Sequence, residues 1–243
     1  MAEGREPEVS IVLPVYNEGA NIEWVLRGID EKVQARPREV LIVYDFEEDD
    51  TLPAVRVLQE LIPDLRLQRN DLGRGVLKAI RAGFAAARAP YVVVMMADGS
   101  DEPEAVDVML AHARGGADLV AASRYMPGGR QLGGPLLKRT LSRLAGLSLH
   151  WLGGVPIHDP TSNFKLYSRR LLERVVIESE AGFELALELT VKAYRLGLRL
   201  EEVPTTWRDR TAGESRFRFR AWLPHYLHWY WRGMAGRFRR PSA

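Results

Sequence analysis

Acidic residues gather at three places where a short apolar run gives way to a turn. Val9–Val15 leads into Pro14-Val15-Tyr16-Asn17-Glu18, Glu39–Tyr44 into Asp45-Phe46-Glu47-Glu48-Asp49-Asp50, and Tyr91–Met96 into Ala97-Asp98-Gly99-Ser100-Asp101-Glu102. Carboxylates concentrated in this way suit a hard divalent cation, which takes oxygen ligands and bridges to phosphates. The competing explanation is helix capping and loop decoration. It fits Asp49, Asp50, Asp101 and Glu102, each just ahead of a predicted helix, whereas Asp98 directly follows a continuous apolar run and points to function. Lys138, Arg139 and Ser142 are a second candidate site, for phosphate. Lys138 and Ser142 are four apart and share a helix face, although a solvated basic face accounts for them equally well.

The elements that must position these groups alternate in type. Strands are expected at Val9–Val15, Glu39–Tyr44, Leu65–Gln68, Tyr91–Met96 and Asp118–Ala122. Helices are expected at Glu18–Ala35, Thr51–Leu61, Gly75–Arg88 and Pro103–Ala113, the first with Ile22, Val25, Leu26 and Ile29 on one face. This order implies an α/β fold with a mostly parallel central sheet and helices on both faces. In such a sheet ligands bind beyond the carboxyl ends of the strands, where the acids lie. Further on, Tyr125–Pro135 reads as a loop, Leu136–Leu152 as a helix, Asn163–Tyr167 as a strand, Phe183–Arg195 as a helix and Arg199–Val203 as a strand.

The chain has 243 residues, 46% hydrophobic and 27% charged, enough for a sizeable core. It has no cysteine, which excludes disulfides and thiolate metal sites and is compatible with a cytoplasmic location. No secretory signal is readable at the N-terminus and no run of 18 apolar residues occurs, so a spanning helix is not expected. The net charge of +2 is unevenly distributed: arginines 216, 218, 220, 232, 237, 239 and 240 follow Ser215 with no acid among them. This divides the chain into residues 1–217, one domain, and a basic aromatic appendage at 218–243, suited to an anionic surface.

Several segments, in this order, resemble the family-2-type glycosyltransferases of GT-A fold, and within them the dolichyl-phosphate mannosyltransferase-like branch. They are Leu13-Pro14-Val15-Tyr16-Asn17-Glu18, Gly73-Arg74-Gly75, the strand into Asp98, Ser123-Arg124-Tyr125, Asp159-Pro160-Thr161-Ser162-Asn163-Phe164, and Trp207 to Arg216 following Glu202-Val203-Pro204. The resemblance runs from about Ser10 to Phe217. It implies an inverting, metal-assisted transfer from a nucleotide-diphosphate sugar to a polyprenyl phosphate. Pro14, Tyr16, Asn17 and Glu18 would line the nucleotide pocket, with Asp45 at its base or ribose end. Asp98 would hold Mg2+ or Mn2+ against the donor diphosphate, neutralising charge on the leaving group. Arg124, Lys138, Arg139 and Ser142 would bind the acceptor phosphate, with Arg210 and Arg216 clamping phosphate from a closing loop. Asp98, Arg124 and Arg210 would carry the catalysis. A phosphate acceptor is already ionised near neutral pH and needs no strong base, so positioning and electrostatics remain. His158 accordingly reads as structural or gating.

Two positions depart from the family pattern. Met96 stands where the family's Asp-x-Asp begins, and Tyr44-Asp45 replaces paired aspartates; Ser100, Asp101 and Glu102 are candidates to compensate. Both changes loosen the inference to mannose. The tail carries Phe217, Phe219, Trp222, Tyr226, Trp229, Tyr230, Trp231 and Phe238 among its arginines, the composition of a helix lying in a membrane interface. Packing on the domain and docking to a membrane subunit are the alternatives. The implied location is peripheral, at the cytoplasmic face of a membrane. A soluble or polysaccharide acceptor, or a non-catalytic nucleotide- or lipid-binding role, remains open on the sequence. The acidic body argues against nucleic acid.

Overall fold

The computed structural model describes residues 6–209 and 219–236. A seven-stranded sheet runs through its centre in the order β3-β2-β1-β4-β7-β5-β8. Its strands are β1 (Val9–Pro14), β2 (Arg38–Tyr44), β3 (Leu65–Arg69), β4 (Tyr91–Val94), β5 (Leu119–Ser123), β7 (Lys165–Ser168) and β8 (Leu200–Pro204). A separate two-stranded ribbon joins β6 (Arg130–Leu132) and β9 (Thr206–Arg208) in parallel. The helices are α1 (Ile22–Lys32), α2 (Thr51–Leu58), α3 (Val76–Ala86), α4 (Ala105–Arg114), α5 (Leu136–Trp151), α6 (Arg169–Arg174), α7 (Leu185–Arg195) and α8 (Phe219–Gly236).

The central strands β1, β2 and β4 are largely apolar on both faces, as a sheet covered twice requires. Ile11, Leu13, Val40, Ile42 and Val93 pack with α1, α2 and α4, while Val12, Leu41, Val43, Val92 and Val94 pack with α3 and α7. Within β3-β2-β1-β4 all pairings are parallel, and β1 lies between β2 and β4. The chain leaves β1 toward β2 on one side and returns to β4 on the other, which opens a crevice at the carboxyl ends of β1 and β4.

The expected alternation is present, with helix ends shifted by a few residues. The strand expected at Asn163–Tyr167 is β7, and it is antiparallel to both β4 and β5. Its reversed direction puts its first residue, Lys165, at the same sheet end as the crevice. β6 lies inside the segment read as loop; it is three residues long and largely exposed, so no periodic pattern announces it.

Helix α8 packs through one side. Trp229 is 3% exposed and joins the same core cluster as α7, with Lys192 Nζ 4.9 Å and Arg232 Cζ 5.1 Å from its ring centroid. The Ser148 and Tyr230 hydroxyls hydrogen-bond at 2.9 Å, tying α8 to α5. Truncating a buried tryptophan removes its burial and leaves a cavity. Trp229→Ala should therefore lower the unfolding free energy by about 3–5 kcal/mol in urea. A single cooperative transition is expected; a variant whose main transition stays at the wild-type midpoint would show that α8 melts apart from the domain.

Candidate active site

The loops after β1, β2, β4 and β5, the loop before β7 and the first half of α5 lie beyond the crevice end of the sheet. The loop after β1 is held down by the entry to α2. Asn17 is left-handed at φ 53, and its backbone N–H lies 3.1 Å from each oxygen of Asp49, a buried carboxylate that also accepts from Thr51 N at 2.9 Å. Glu18 N donates to Thr51 Oγ1 at 2.9 Å and Gly19 N to Asp50 Oδ1 at 2.9 Å. Asp49 and Asp50 therefore shape the loop that carries Tyr16, Asn17 and Glu18. Pro14 is buried at the end of β1, and Tyr16 is half-exposed, edge-on to Phe46 at 5.3 Å. Arg74 lies over the other ring of that pair, 5.0 Å from the Phe46 centroid.

Asp45 organises the neighbouring loop. Its Oδ1 accepts from Asn70 Nδ2 at 2.7 Å and its Oδ2 from Gly75 N at 2.8 Å, while Asn70 Nδ2 also donates to Gly73 O. The Gly73-Arg74-Gly75 segment is thereby fixed at the entrance to α3. Asp45 remains half-buried.

Asp98 follows β4 and is 6% exposed, its Oδ1 accepting from Ser100 N at 3.1 Å. Gly99 beside it has φ +71, and a Cβ there would lie 1.7 Å from the Trp24 indole, so only glycine lets α1 close over this turn. Asp101 is the second carboxylate of the turn. Burial, reinforced by the charge of Asp98, pushes it up to about 7 against a hydrogen bond from Met96 N. Glu102 faces the other way: it accepts from Thr206 N at 3.0 Å, and Arg208 N donates to Ser100 O at 3.0 Å. The strand β9 is thus laid on the Asp98 turn, and the described chain stops at Asp209, one residue past it. Arg210 and Arg216 lie outside the described residues.

Arg124 lies just past β5 and pairs with Asp159. Its Nε donates to Asp159 Oδ2 at 2.6 Å and its Nη2 to Asp159 Oδ1 at 2.9 Å, a bidentate pair with Asp159 fully buried. Asp159 Oδ1 also accepts from Thr161 Oγ1 and Ser162 N, both at 3.2 Å. Burial alone would raise the Asp159 carboxyl; the Arg124 charge and hydrogen bonds outweigh it and hold it below the ordinary range. The same coupling raises Arg124 further, against its own desolvation. Lys165 Nζ, fully buried, donates to Pro160 O at 2.8 Å and to Ser162 O, bracing the loop from below; burial pulls it down to about 7.

Helix α5 brings Ser142 into this cluster. Its Oγ lies 2.7 Å from Thr161 Oγ1 and 3.5 Å from Arg124 Nη2. Gly146, one turn later, makes this possible, since a Cβ there would lie 2.2 Å from His158 O. Lys138 is on the same helix one turn before Ser142, and Arg139 is half-buried beside it. His158 pairs with Glu202 through Nδ1 and stacks on His150 at 3.8 Å, so it supports the Asp159 loop without entering the cluster.

The candidate donor residues at β1 and β2, Asp98, Arg124 and Ser142 thus share one end of the sheet. The charges of Asp98 and Arg124 both act on Asp101, the first raising it and the second lowering it. Two members had no role assigned from the sequence. Asp159 and Thr161 belong to a recognised segment, but only the fold shows Asp159 reaching a residue 35 positions away.

Oxygen donors suitable for a hard cation are present at Asp98 and Asp101. No group of three or more His, Asp or Glu arranged to hold a metal occurs among the described residues. One or two carboxylates, with the remaining positions filled by substrate phosphate and water, is the pattern Mg2+ commonly takes. The donor set therefore fits a cation shared with a diphosphate.

Comparison with known proteins agrees with this arrangement. The family model described as glycosyl transferase family 2 matches residues 10–176. The polyprenol monophosphomannose synthase of Mycolicibacterium smegmatis is 32% identical over 213 residues, 85% of this chain and 79% of its own length. The dolichol-phosphate mannosyltransferase of Pyrococcus furiosus is 28% identical over 227 residues, 92% of this chain; the match spans 63% of that longer protein. Among solved structures, glucosyl-3-phosphoglycerate synthase from Mycobacterium tuberculosis aligns with a TM-score of 0.69 at 21% identity, over 98% of this chain and 82% of its own, and shares the fold.

Breaking a buried pair leaves the surviving charge uncompensated. Asp159→Asn should lower the unfolding free energy by about 3–5 kcal/mol at neutral pH. Because the folded-state carboxyl sits below its unfolded value of 3.8, this contribution is full above that value and is lost as pH falls through the depressed one. Urea titrations at neutral and acid pH check both points; equal stability of the two proteins at neutral pH would contradict the role given to the pair.

Proposed function

Because the chain belongs to glycosyltransferase family 2, we propose that it transfers a hexose from a nucleoside diphosphate sugar to a polyprenyl phosphate, with inversion. The observation that carries this reading is the convergence of Arg124, Ser142 and Thr161 beside the carboxylates of the Asp98 turn. It gives an anion site next to a cation site. Mannose is the first sugar to try, since both relatives named above are mannose enzymes by their names.

In this reading the donor nucleotide lies in the crevice along Pro14, Tyr16, Asn17, Glu18 and Asp45. The edge-on Tyr16–Phe46 pair offers an aromatic wall. Asp98, with Asp101 beside it, would hold the divalent cation, Mg2+ or Mn2+, whose positive charge stabilises the departing diphosphate. On the other side, Arg124 keeps its Nη1 without a protein partner among the described residues while Asp159 holds its Nε and Nη2. That nitrogen and the Ser142 and Thr161 hydroxyls bind the acceptor phosphate and aim one of its oxygens at the anomeric carbon. The phosphate oxygen forms the new C–O bond as the bond to the nucleoside diphosphate breaks. The attacking oxygen is already ionised, so no residue needs to accept a proton. Lys138 and Arg139 add positive charge on the α5 side. Arg210 and Arg216 would bind the phosphates, as the family resemblance implies.

No helix among the described residues is long and apolar enough to cross a membrane. We place the outer side of α8 against the cytoplasmic face of a membrane, where the lipid acceptor resides; a membrane-embedded partner subunit is the other occupant to consider.

A screen of nucleotide sugars with Mg2+ or Mn2+ against short polyprenyl phosphates tests the reading. Formation of labelled glycolipid is expected, and transfer only to soluble sugars, or donor binding without turnover, contradicts it. In that assay Asp98→Asn should lower kcat by about 100-fold or more with the fold intact by circular dichroism. Arg210→Lys keeps the charge but loses the planar fork and should cost about tenfold. Wild-type turnover in either variant would remove that residue from the mechanism.

A further inference from the structure

Strand β8 carries two adjacent glutamates, and each grips a histidine. Successive residues of a strand point to opposite faces of the sheet. Glu201 meets the His112 ring of α4 through Nδ1 and also accepts from Arg199 Nε, at the end of β8 remote from the site. Glu202, on the other face, meets His158. The Glu202 pair is the more enclosed, its side chains 10% and 20% exposed against 21% and 39%, and is less screened by water.

Glu202 holds a single residue by two handles. Its Oε2 accepts from the His158 backbone N–H at 2.9 Å, and its Oε1 pairs with Nδ1 of the same residue. The face of that ring is stacked on His150 of α5, and the His158 carbonyl lies against Gly146, where any Cβ would clash. Residue 158 is thus fixed through its N–H, its ring and its carbonyl, and the next residue is Asp159. From there the path to the anion cluster is short: Asp159 grips Arg124 through both oxygens, and Thr161 meets Ser142 of α5. Ser142 and Gly146 are four apart and share one face of α5. The spacing between α5 and the Asp159 loop is therefore set at His158 and felt at Ser142. Arg124 Nη2 lies 3.5 Å from Ser142 Oγ, at the limit of a hydrogen bond, so a small displacement of residue 158 breaks that contact.

We propose that Glu202 is a positioning residue for the acceptor site: acting through His158 on Asp159, it fixes the orientation of Arg124 and the gap between Arg124 and Ser142. The proposal rests on the reading of that cluster as the polyprenyl phosphate site. A misplacement of about 1 Å in groups that orient a substrate costs up to about 100-fold in rate. A glutamate outside the anion cluster then matters to the kinetics. Its neighbour Glu201 is a built-in control, because losing it removes a comparable histidine pair on the opposite face.

The test compares Glu202→Gln with Glu201→Gln in the full chain, and adds Glu202→Asp, which keeps the charge and shortens the reach. The first measurement is the Arg124 Nε–H resonance, assigned by its loss in Arg124→Lys, whose exchange with water the bond to Asp159 slows. Glu202→Gln should shift it and speed its exchange about tenfold, Glu202→Asp should do so less, and Glu201→Gln should leave it unchanged. The second is steady-state transfer to a short, water-soluble polyprenyl phosphate. In Glu202→Gln the KM for that acceptor should rise about tenfold while the KM for the nucleotide sugar stays within about twofold, and Glu201→Gln should match the wild type in both. If the wild type uses no polyprenyl phosphate, the acceptor reading fails and the resonance alone decides the positioning role. If Glu202→Gln is unfolded by circular dichroism, Glu202→Asp carries both measurements. An Arg124 resonance unchanged by the Glu202 substitutions overturns the proposal. So do equal effects of Glu201→Gln and Glu202→Gln, which would mark a general loss of stability.

Discussion

The buried ion pair between Arg124 and Asp159 is the constraint on which the site depends. Asp159 is fully buried, and each of its oxygens is occupied: Oδ2 by the side chain and backbone N–H of Arg124, Oδ1 by Arg124, Thr161 and Ser162. A carboxylate desolvated to this degree stays ionised only because a cation and several donors surround it. The consequence is positional. The end of β5, the loop that precedes β7 and the first half of α5 are joined at one point, and a hydroxyl from each of the last two is brought to the guanidinium. Placing Arg124 against a fixed anion also removes its freedom to fold back on the Asp98 turn. The guanidinium is thereby held in one orientation.

The antiparallel strand β7 is what allows this joint. In a sheet whose other neighbours run parallel, β7 presents its beginning at the end where the others finish. The loop from Asp159 to Phe164 therefore arrives among the carboxyl ends of β4 and β5, and Ala122 N binds Phe164 O at 3.0 Å to fix it there. Lys165 opens β7 and is buried beneath the loop, donating to two of its carbonyls. A lysine with no solvent contact costs desolvation. Here that cost is offset by satisfying carbonyls which the tight loop would otherwise leave without donors.

Much of the framework was legible in the sequence, because hydrophobic period and strand-end acids are local signals. Ile22, Val25, Leu26 and Ile29 form the inner face of α1 as their spacing requires, and Asp98 lies at the end of β4 as the apolar run before it implied. What was not legible depends on distant partners. Asp49, expected as a helix cap, does accept from Thr51 N, but it also holds Asn17 N from 32 positions away. Asp45 is committed to Asn70 and Gly75, contacts invisible before the sheet brings β2 and β3 side by side. Glu102 and Asp101 sit next to each other in sequence and face opposite tasks, one binding β9 and the other lying buried beside Asp98. The direction of β7 left no trace in composition, since a short buried strand reads the same either way.

The replacement at Met96 takes on a physical meaning in this setting. Its backbone N–H donates to Asp101 Oδ2 at 3.0 Å, and Asp101 is 9% exposed within reach of Asp98. A carboxylate at position 96 would add a third negative charge to a turn where desolvation and Asp98 already push Asp101 up to about 7. With methionine there, the turn carries one firmly placed carboxylate and a second whose ionisation depends on a nearby positive charge. Arg124 supplies part of that charge, lowering Asp101, and a bound cation would supply more. The acidic turn and the arginine cluster thereby stabilise each other's charged states across the crevice. In the proposed reaction, this balance of charge would help draw a donor diphosphate and an acceptor phosphate, both anions, to adjoining positions.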